Sequence, residues 1–172
     1  MPEPKKVNVV LIDESTEPKW YKEMRTLIKA HHKHLAKAKI ALFWQHGWAE
    51  DADGKLVLGR ATKANDLNRA LHEHDFAIEL NFEVFNSADW KIEQARALID
   101  HELTHCEVKL GSDGEVITDD QDRVVYRIRK HDIEEFSEVV ARHGLWKRDL
   151  EKFADSIRED ERQPLLKAAS AS

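Results

Sequence analysis

Cysteine is almost absent from the sequence, and its scarcity excludes two kinds of site. Cys106 stands alone, so the chain has no intramolecular disulfide and no zinc ribbon built from several cysteines. A chain of this kind is typical of a reducing compartment. Apolar runs are short as well: none approaches the roughly 20 residues that cross a bilayer, and Met1–Lys6 has no signal-peptide core. We therefore expect a cytoplasmic protein with no membrane partner.

Glycine and proline are also scarce, at 6 and 4 residues of 172, and no Gly/Ser/Pro-rich linker interrupts the chain. This length suits one domain with one core. Apolar residues make up 41% of the chain, which is enough to fill such a core. We expect a single domain over 1–160 and a flexible tail over 161–172, and the sequence leaves the oligomeric state open.

The sequence also has no excess of basic residues. The formal net charge is −6, whereas a general nucleic-acid binder needs a basic face that neutralises phosphates. General nucleic-acid binding is therefore not expected. Three histidines, His31, His32 and His34, lie near the end of the predicted first helix. The helix dipole favours polar or cationic histidine in a last turn, so we assign them this role instead of metal binding.

The periodicity of the apolar residues predicts an α+β chain. We expect strands over 6–12, 40–48 and 55–60, helices over 19–38 and 132–154, the second with a break at Gly144, and a hairpin between 111 and 128. The turn chemistry of Asp51 to Gly54 predicts that strands 40–48 and 55–60 pair as a hairpin. Strict alternation over 76–85 predicts a further strand with one buried face. Since it leads into the next helix, its edge is a place where an extended peptide could bind.

The segment His101 to His105 has the form H-E-x-x-H. At about 3.6 residues per turn, His101 and His105 share one face of a helix, so two imidazole nitrogens can take two corners of a tetrahedral zinc site. Glu102 lies roughly 100° round the same helix, close enough to reach a water at the metal without binding the metal itself. The spacing predicts zinc bound by both histidines and a general base at Glu102.

The surrounding residues support a helix at this position. Asp89 is a candidate N-cap, and Glu93 offers a capping-box carboxylate. Apolar residues then recur at helical spacing and form a core-facing side: Ala95, Leu98, Ile99, Leu103 and Cys106. Cys106 points about 100° away from His105 on this helix and is expected in the core instead of at the metal.

A catalytic zinc site needs a third protein ligand. Candidates cluster in the segment H-D-I-E-E-F, which opens the last predicted helix: His131, Glu134 and Glu135. Spacing alone does not decide among these three. The sequence also does not select the residue that would stabilise an oxyanion; the candidates are Tyr126, Arg127 and His143. Nor does it select a carboxylate that would orient an imidazole, for which the candidates are Asp100, Asp132 and Glu134.

H-E-L-T-H followed by H-D-x-x-x-F resembles the pairing of H-E-x-x-H with a later histidine motif in SprT-like and WLM-type metallopeptidases. The layout from about Ile40 to Trp146 most closely resembles the putative phage metallopeptidase family. The resemblance implies His101, His105 and His131 as zinc ligands, with Glu102 as the base. Phe136 stands five residues after His131 instead of the four common in the SprT-like pattern, which keeps Glu134 and Glu135 as alternatives.

The same resemblance implies a zincin-like α+β fold, in which a small, mostly antiparallel sheet packs on an N-terminal helix, the H-E-x-x-H helix and a long C-terminal helix. The implied activity is zinc-dependent hydrolysis of peptide bonds in a protein or peptide substrate, with Glu102 taking a proton from the attacking water. The alternative is a non-catalytic zinc-binding interaction or regulatory module of phage origin. Net acidity and the missing zinc ribbon weaken a DNA-associated role by analogy with SprT-like proteins.

Overall fold

The computed structural model describes residues 8–134 and 136–169. The chain forms two compact units, of which the first ends at Arg129 and the second begins at Lys130. The expected single domain over 1–160 and the tail over 161–172 stay predictions. None of the described helices combines the length and the apolar character that a membrane crossing requires.

The described residues contain six strands and six helices, which confirms the α+β class. The strands are β1 (Val9–Leu11), β2 (Ile40–Gln45), β3 (Gly59–Lys63), β4 (Phe76–Asn81), β5 (Cys106–Val108) and β6 (Tyr126–Ile128). The helices are α1 (Pro18–His31), α2 (Asp66–His72), α3 (Phe82–Phe85), α4 (Ile92–His105), α5 (Ser137–His143) and α6 (Arg148–Ala169). The second unit holds α5 and α6, which are separated by residues 144–147, where the sequence predicted a break at Gly144. The first of them begins at Ser137, later than the predicted start at 132.

The main sheet is mixed and has the order β1-β2-β4-β3. β2 runs parallel to β4, and the pairs β1–β2 and β3–β4 are antiparallel. The predicted hairpin of 40–48 with 55–60 is therefore wrong, because β2 and β3 flank β4 on opposite sides. Asp51 and Gly54 do form a turn, with the Gly54 N–H donating to the Asp51 carbonyl at 3.0 Å. That turn is local to a longer connection, which carries the chain to the far edge of the sheet.

The alternation in 76–85 ends earlier than predicted. Phe76, Ile78 and Leu80 are fully buried, as one face of a strand requires. At Asn81 the side-chain oxygen accepts the Val84 N–H at 3.2 Å, which caps the short helix α3 and stops the strand. The strand prediction is thus confirmed for 76–81 and wrong for 82–85.

Helices α1 and α4 contribute side chains to the same core as the sheet. The buried cluster combines residues from β2, β4 and both helices: Met24, Leu42, Ile78, Leu80, Ile99 and Leu103. Helix α4 points Ala95, Ile99 and Leu103 inward, as the sequence predicted. Its start differs: α4 begins at Ile92 after Lys91, whose N–H donates to the Gln94 side chain at 3.0 Å. Asp89 and Glu93 are therefore not the capping pair. The Asp89 N–H instead donates to Ser87 Oγ at 3.3 Å in the turn before the helix.

The predicted hairpin after the H-E-x-x-H segment is confirmed in position. β5 begins directly at the end of α4 and pairs antiparallel with β6, with Cys106 opposite Ile128 and Val108 opposite Tyr126. Two isolated antiparallel bridges, Leu110–Val116 and Thr118–Val124, close the two turns between β5 and β6. We call residues 106–128 the β5–β6 ribbon. It carries the chain out from α4 and returns it to the same point.

Asp75 joins the starts of β2 and β4 through buried polar contacts. Its carboxylate accepts the Lys39 N–H at 2.9 Å and pairs with the Arg69 guanidinium at 2.7 Å, and it is 7% exposed. Without the Asp75 carboxylate, the largely buried Arg69 guanidinium would have lost this counter-charge.

We predict that Asp75→Ala lowers the free energy of unfolding by about 3–5 kcal/mol. Urea unfolding followed by circular dichroism measures this change. The matched control is Asp89→Ala, because Asp89 is exposed, and it should change the free energy by no more than about 0.5 kcal/mol. Equal effects of the two substitutions would contradict the prediction.

Candidate metal centre

His101 and His105 lie one turn apart on the last turns of α4, and their rings converge. The two Nε2 atoms are 3.2 Å apart, and the ring planes are nearly perpendicular at 82°. Two nitrogens bound to one tetrahedral zinc at 2.0–2.1 Å would be separated by about 3.3–3.4 Å. The spacing of the two Nε2 atoms therefore fits two corners of such a site.

The orientation of His105 is set by a backbone carbonyl. Its Nδ1 lies 2.6 Å from the Arg129 carbonyl oxygen, and since a carbonyl only accepts, Nδ1 carries the proton and donates it. In the neutral ring, Nε2 is then the unprotonated nitrogen, and this is the atom that faces His101. The Arg129 N–H also donates to the His105 carbonyl at 2.8 Å, so the two residues are joined by two hydrogen bonds.

His131 joins the two helix histidines. One ligand nitrogen from each of His101, His105 and His131 lies within 4.8 Å of the others. Within the first unit, the Arg129–His105 hydrogen bonds hold the chain after β6 to the end of α4. Three imidazoles are a donor set of catalytic zinc sites, in which the fourth position takes water or substrate.

The two glutamates that were alternatives to His131 as the third ligand, Glu134 and Glu135, are not supported in the same way. Within the described parts of the chain, the group of converging metal-binding side chains consists of the three histidines, and Glu134 is not in it. Glu135 lies outside the described residues. The assignment of the three histidines as ligands stays a prediction.

Glu102 turns away from solvent toward the edge strand β3. It is only 4% exposed, and its carboxylate accepts a hydrogen bond from the Ala61 N–H. Burial raises the pKa of the Glu102 carboxyl above its usual range, while the nearby His105 and the Ala61 N–H oppose part of the rise. A carboxylate with a raised pKa holds a proton more readily than an exposed one.

The position of Glu102 depends on a glycine in β3. A Cβ built on Gly59 would lie 2.6 Å from Glu102 Oε1 and 3.1 Å from both Cγ and Cδ. Glycine is therefore the residue that leaves room for this carboxylate. Sequence reasoning missed this contact. The available signal was an isolated glycine inside a predicted strand, which often marks a close approach by another group.

The comparisons with known proteins agree with this geometry. The model of the family described as "Putative phage metallopeptidase" matches residues 12–158, well over half of the chain. The chain belongs to this family. The resemblance to this family, predicted from the layout between about Ile40 and Trp146, is thereby confirmed. No curated protein and no solved structure matches the chain.

In this member of the phage metallopeptidase family, Cys106 is a core residue. It is fully buried, and its thiol donates to the Glu102 carbonyl at 3.4 Å. Burial, with a smaller contribution from the Glu102 charge, raises the pKa of the thiol to about 12. Cys106 is not in the group of converging metal-binding side chains found among the described residues.

Other groups named as candidates for this family member have different partners. Tyr126 is 5% exposed, with its ring centroid 5.0 Å from that of Phe76, and Arg127 forms an ion pair with Glu107. Asp100 accepts a hydrogen bond from His32, which is not one of the three clustered histidines. His143 lies in α5. None of these contacts selects an oxyanion-stabilising residue.

We predict that Gly59→Ala lowers the free energy of unfolding by about 1–3 kcal/mol, because the new methyl group overlaps the Glu102 carboxylate. The decisive measurement is a double-mutant cycle with Glu102→Ala. With the obstructing atoms gone, Gly59→Ala should cost much less in the Glu102→Ala background. An equal cost in both backgrounds would place the clash elsewhere.

The raised pKa of Glu102 predicts a pH-dependent stability difference in metal-free protein. The folded state disfavours the ionised carboxylate, so a penalty is present above the folded pKa and disappears below the unfolded value of 4.5. Glu102→Gln removes the charge and keeps an acceptor for the Ala61 N–H. Thermal unfolding in a chelator should show Glu102→Gln more stable than wild type at pH 7 to 8, with a difference that shrinks toward pH 4.5. A stability difference between Glu102→Gln and wild type that grows as the pH falls would contradict the prediction.

Proposed function

We propose that the protein is a zinc-dependent metallopeptidase that hydrolyses peptide bonds in a protein substrate. In this proposal His101, His105 and His131 hold the zinc ion, and Glu102 is the general base. The single observation that carries the proposal is the convergence of three imidazole nitrogens within 4.8 Å at an H-E-x-x-H helix. Membership of the phage metallopeptidase family supports it.

Zinc fits this donor set better than the hard cations do. Imidazole nitrogens suit zinc and other transition metals, whereas magnesium and calcium prefer oxygen ligands. The hydrogen bond from His105 Nδ1 to Arg129 fixes the tautomer that zinc binding requires. When bound, zinc polarises a substrate carbonyl and lowers the pKa of a water toward about 7.

Glu102 would move the proton in the proposed reaction. Its carboxylate accepts a proton from the attacking water and then returns it to the nitrogen of the leaving amine. Burial supports this role, since a carboxyl with a raised pKa holds a proton more readily than an exposed one. The Ala61 N–H anchors the carboxylate against β3, which limits the orientations that it can take.

The edge strand β3 is the proposed binding site for an extended substrate. The sequence placed a peptide-binding edge on the strand over 76–85, but β4 is paired on both sides, by β2 and β3. β3 lies at the edge of the sheet order and carries Gly59 and Ala61 next to Glu102. A peptide added to this edge by main-chain hydrogen bonds would pass beside Glu102.

The ligand assignment predicts the metal content of purified variants. Wild type and Glu102→Gln should contain close to one zinc per chain, because Glu102 is not a ligand. His131→Ala should lose most of its zinc, and so should His105→Ala, while the control His72→Ala, exposed on α2, should keep it. Elemental analysis measures all five proteins. Zinc retained in His131→Ala would move the third ligand to Glu134 or Glu135, which alanine variants of each would then identify.

The role of Glu102 predicts an inactive enzyme with an intact metal site. Glu102→Gln should lower the rate of peptide hydrolysis by about 10²–10⁴-fold. The assay follows new amino groups released from unfolded casein and from peptide mixtures at equal zinc occupancy. A Glu102→Gln variant as active as wild type would exclude the proposed base. Wild type that binds zinc and cleaves none of these substrates would favour the non-catalytic module.

A further inference from the structure

Two histidines outside the proposed ligand set contact both ends of the metal-binding turn. His32 follows the last residue of α1, and its Nε2 lies 2.6 Å from the Asp100 carboxylate, directly before His101 in sequence. His32 is 7% exposed. A buried histidine beside a partly exposed carboxylate is a specific contact between α1 and α4, unlike a solvated residue in a last helical turn.

His34 makes the matching contact at the other end of the turn. Its Nε2 lies 3.1 Å from the Cys106 carbonyl oxygen, directly after His105. Because a carbonyl only accepts, His34 Nε2 carries the proton and donates it. The sequence assigned both histidines to the dipole of α1. The rings instead reach across to α4 and β5.

We propose that His32 and His34 are positioning residues that hold the His101–His105 turn in the geometry its imidazoles need. The inference rests on the proposed function, because it assigns the two residues a role in metal binding. His32 fixes the chain before the first ligand, and His34 fixes it after the second. Both come from one short segment, so the two ends of the turn are held against a common support.

The need for such a support follows from where α4 ends. His105 is the last residue of the helix, and the final four carbonyls of a helix lack partners within it. Helix ends fray, so a metal ligand in the last position requires contacts from outside the helix. The His34 N–H supplies one of these, at Cys106, and the Arg129 N–H supplies another, at the His105 carbonyl.

The segment that carries the two histidines is itself anchored in the core. Lys33–Leu35 forms a 3₁₀ turn, in which the Leu35 N–H donates to the His32 carbonyl at 2.8 Å. Leu35 is 1% exposed and belongs to the core cluster. Packing of Leu35 therefore restrains the backbone between His32 and His34, which makes the segment a firm support for the turn.

The test measures zinc affinity and kinetics in His32→Ala, His34→Ala and the double variant. Loss of a hydrogen-bond partner of a metal ligand typically costs about 10–100-fold in affinity or activity, and His32 and His34 act through the residues that flank two proposed ligands. We expect weakening of this size in competition with a chromogenic chelator, and a lower kcat with little change in KM. His31→Ala is the matched control, because His31 is exposed and adjacent in the chain. It should match wild type in both measurements.

Rescue variants separate positioning from simple stability. Glutamine places an amide N–H near the position of the imidazole Nε2, so His32→Gln and His34→Gln should recover most of the lost zinc affinity. His34 is exposed, so His34→Ala should keep the fold by circular dichroism. This variant decides the proposal if His32→Ala does not fold.

The outcomes distinguish this inference from the proposed function. Zinc affinity and kcat of folded His34→Ala within twofold of wild type would overturn the positioning role while the zinc site stands. Glutamine variants as weak as the alanine variants would also overturn it, since the donated hydrogen bond would then be irrelevant. Wild type that binds no zinc would instead overturn the proposed function itself.

Discussion

The paired hydrogen bonds between His105 and Arg129 are the constraint on which the rest of the site depends. One bond fixes the tautomer of a proposed ligand, and the other ties the chain after β6 to the last residue of α4. Together they close the β5–β6 ribbon at its base. One ligand nitrogen from each of His101, His105 and His131 lies within 4.8 Å of the others.

The main sheet contributes the residues that surround Glu102. β3 is an edge strand that pairs antiparallel with β4. Toward α4 it offers the Ala61 N–H as a hydrogen-bond donor and, at Gly59, a space without a side chain. Glu102 occupies that space and is almost completely buried, although the two histidines beside it in the motif are at least partly exposed. Family membership and the geometry around Glu102 both support the proposed metallopeptidase activity.

Local patterns predicted the parts of this fold that local interactions determine. The α4 core face, the buried residues of β4 and the H-E-x-x-H turn follow from periodicity alone. The strand order did not, because turn chemistry at Asp51 to Gly54 says nothing about which strand intervenes between two neighbours. Contacts made by backbone atoms were equally invisible, because the Arg129 carbonyl and the Ala61 N–H have no side-chain chemistry that a sequence could show. Gly59 left a signal, as a glycine inside a predicted strand, but that signal did not name Glu102 as the group that approaches it. His32 and His34 looked like ordinary helix-end residues, since their partners lie far along the chain.

The closed base of the β5–β6 ribbon has a consequence for how such sites vary among related proteins. Because the two ends of the ribbon are pinned together at His105 and Arg129, its outer part is a loop whose closure is already secured. Doubling the length of a closed flexible loop costs only about 0.6 kcal/mol in entropy. Lengthening or trimming this arm should therefore cost little stability, and the fold does not require a fixed number of residues between H-E-x-x-H and the distant histidine.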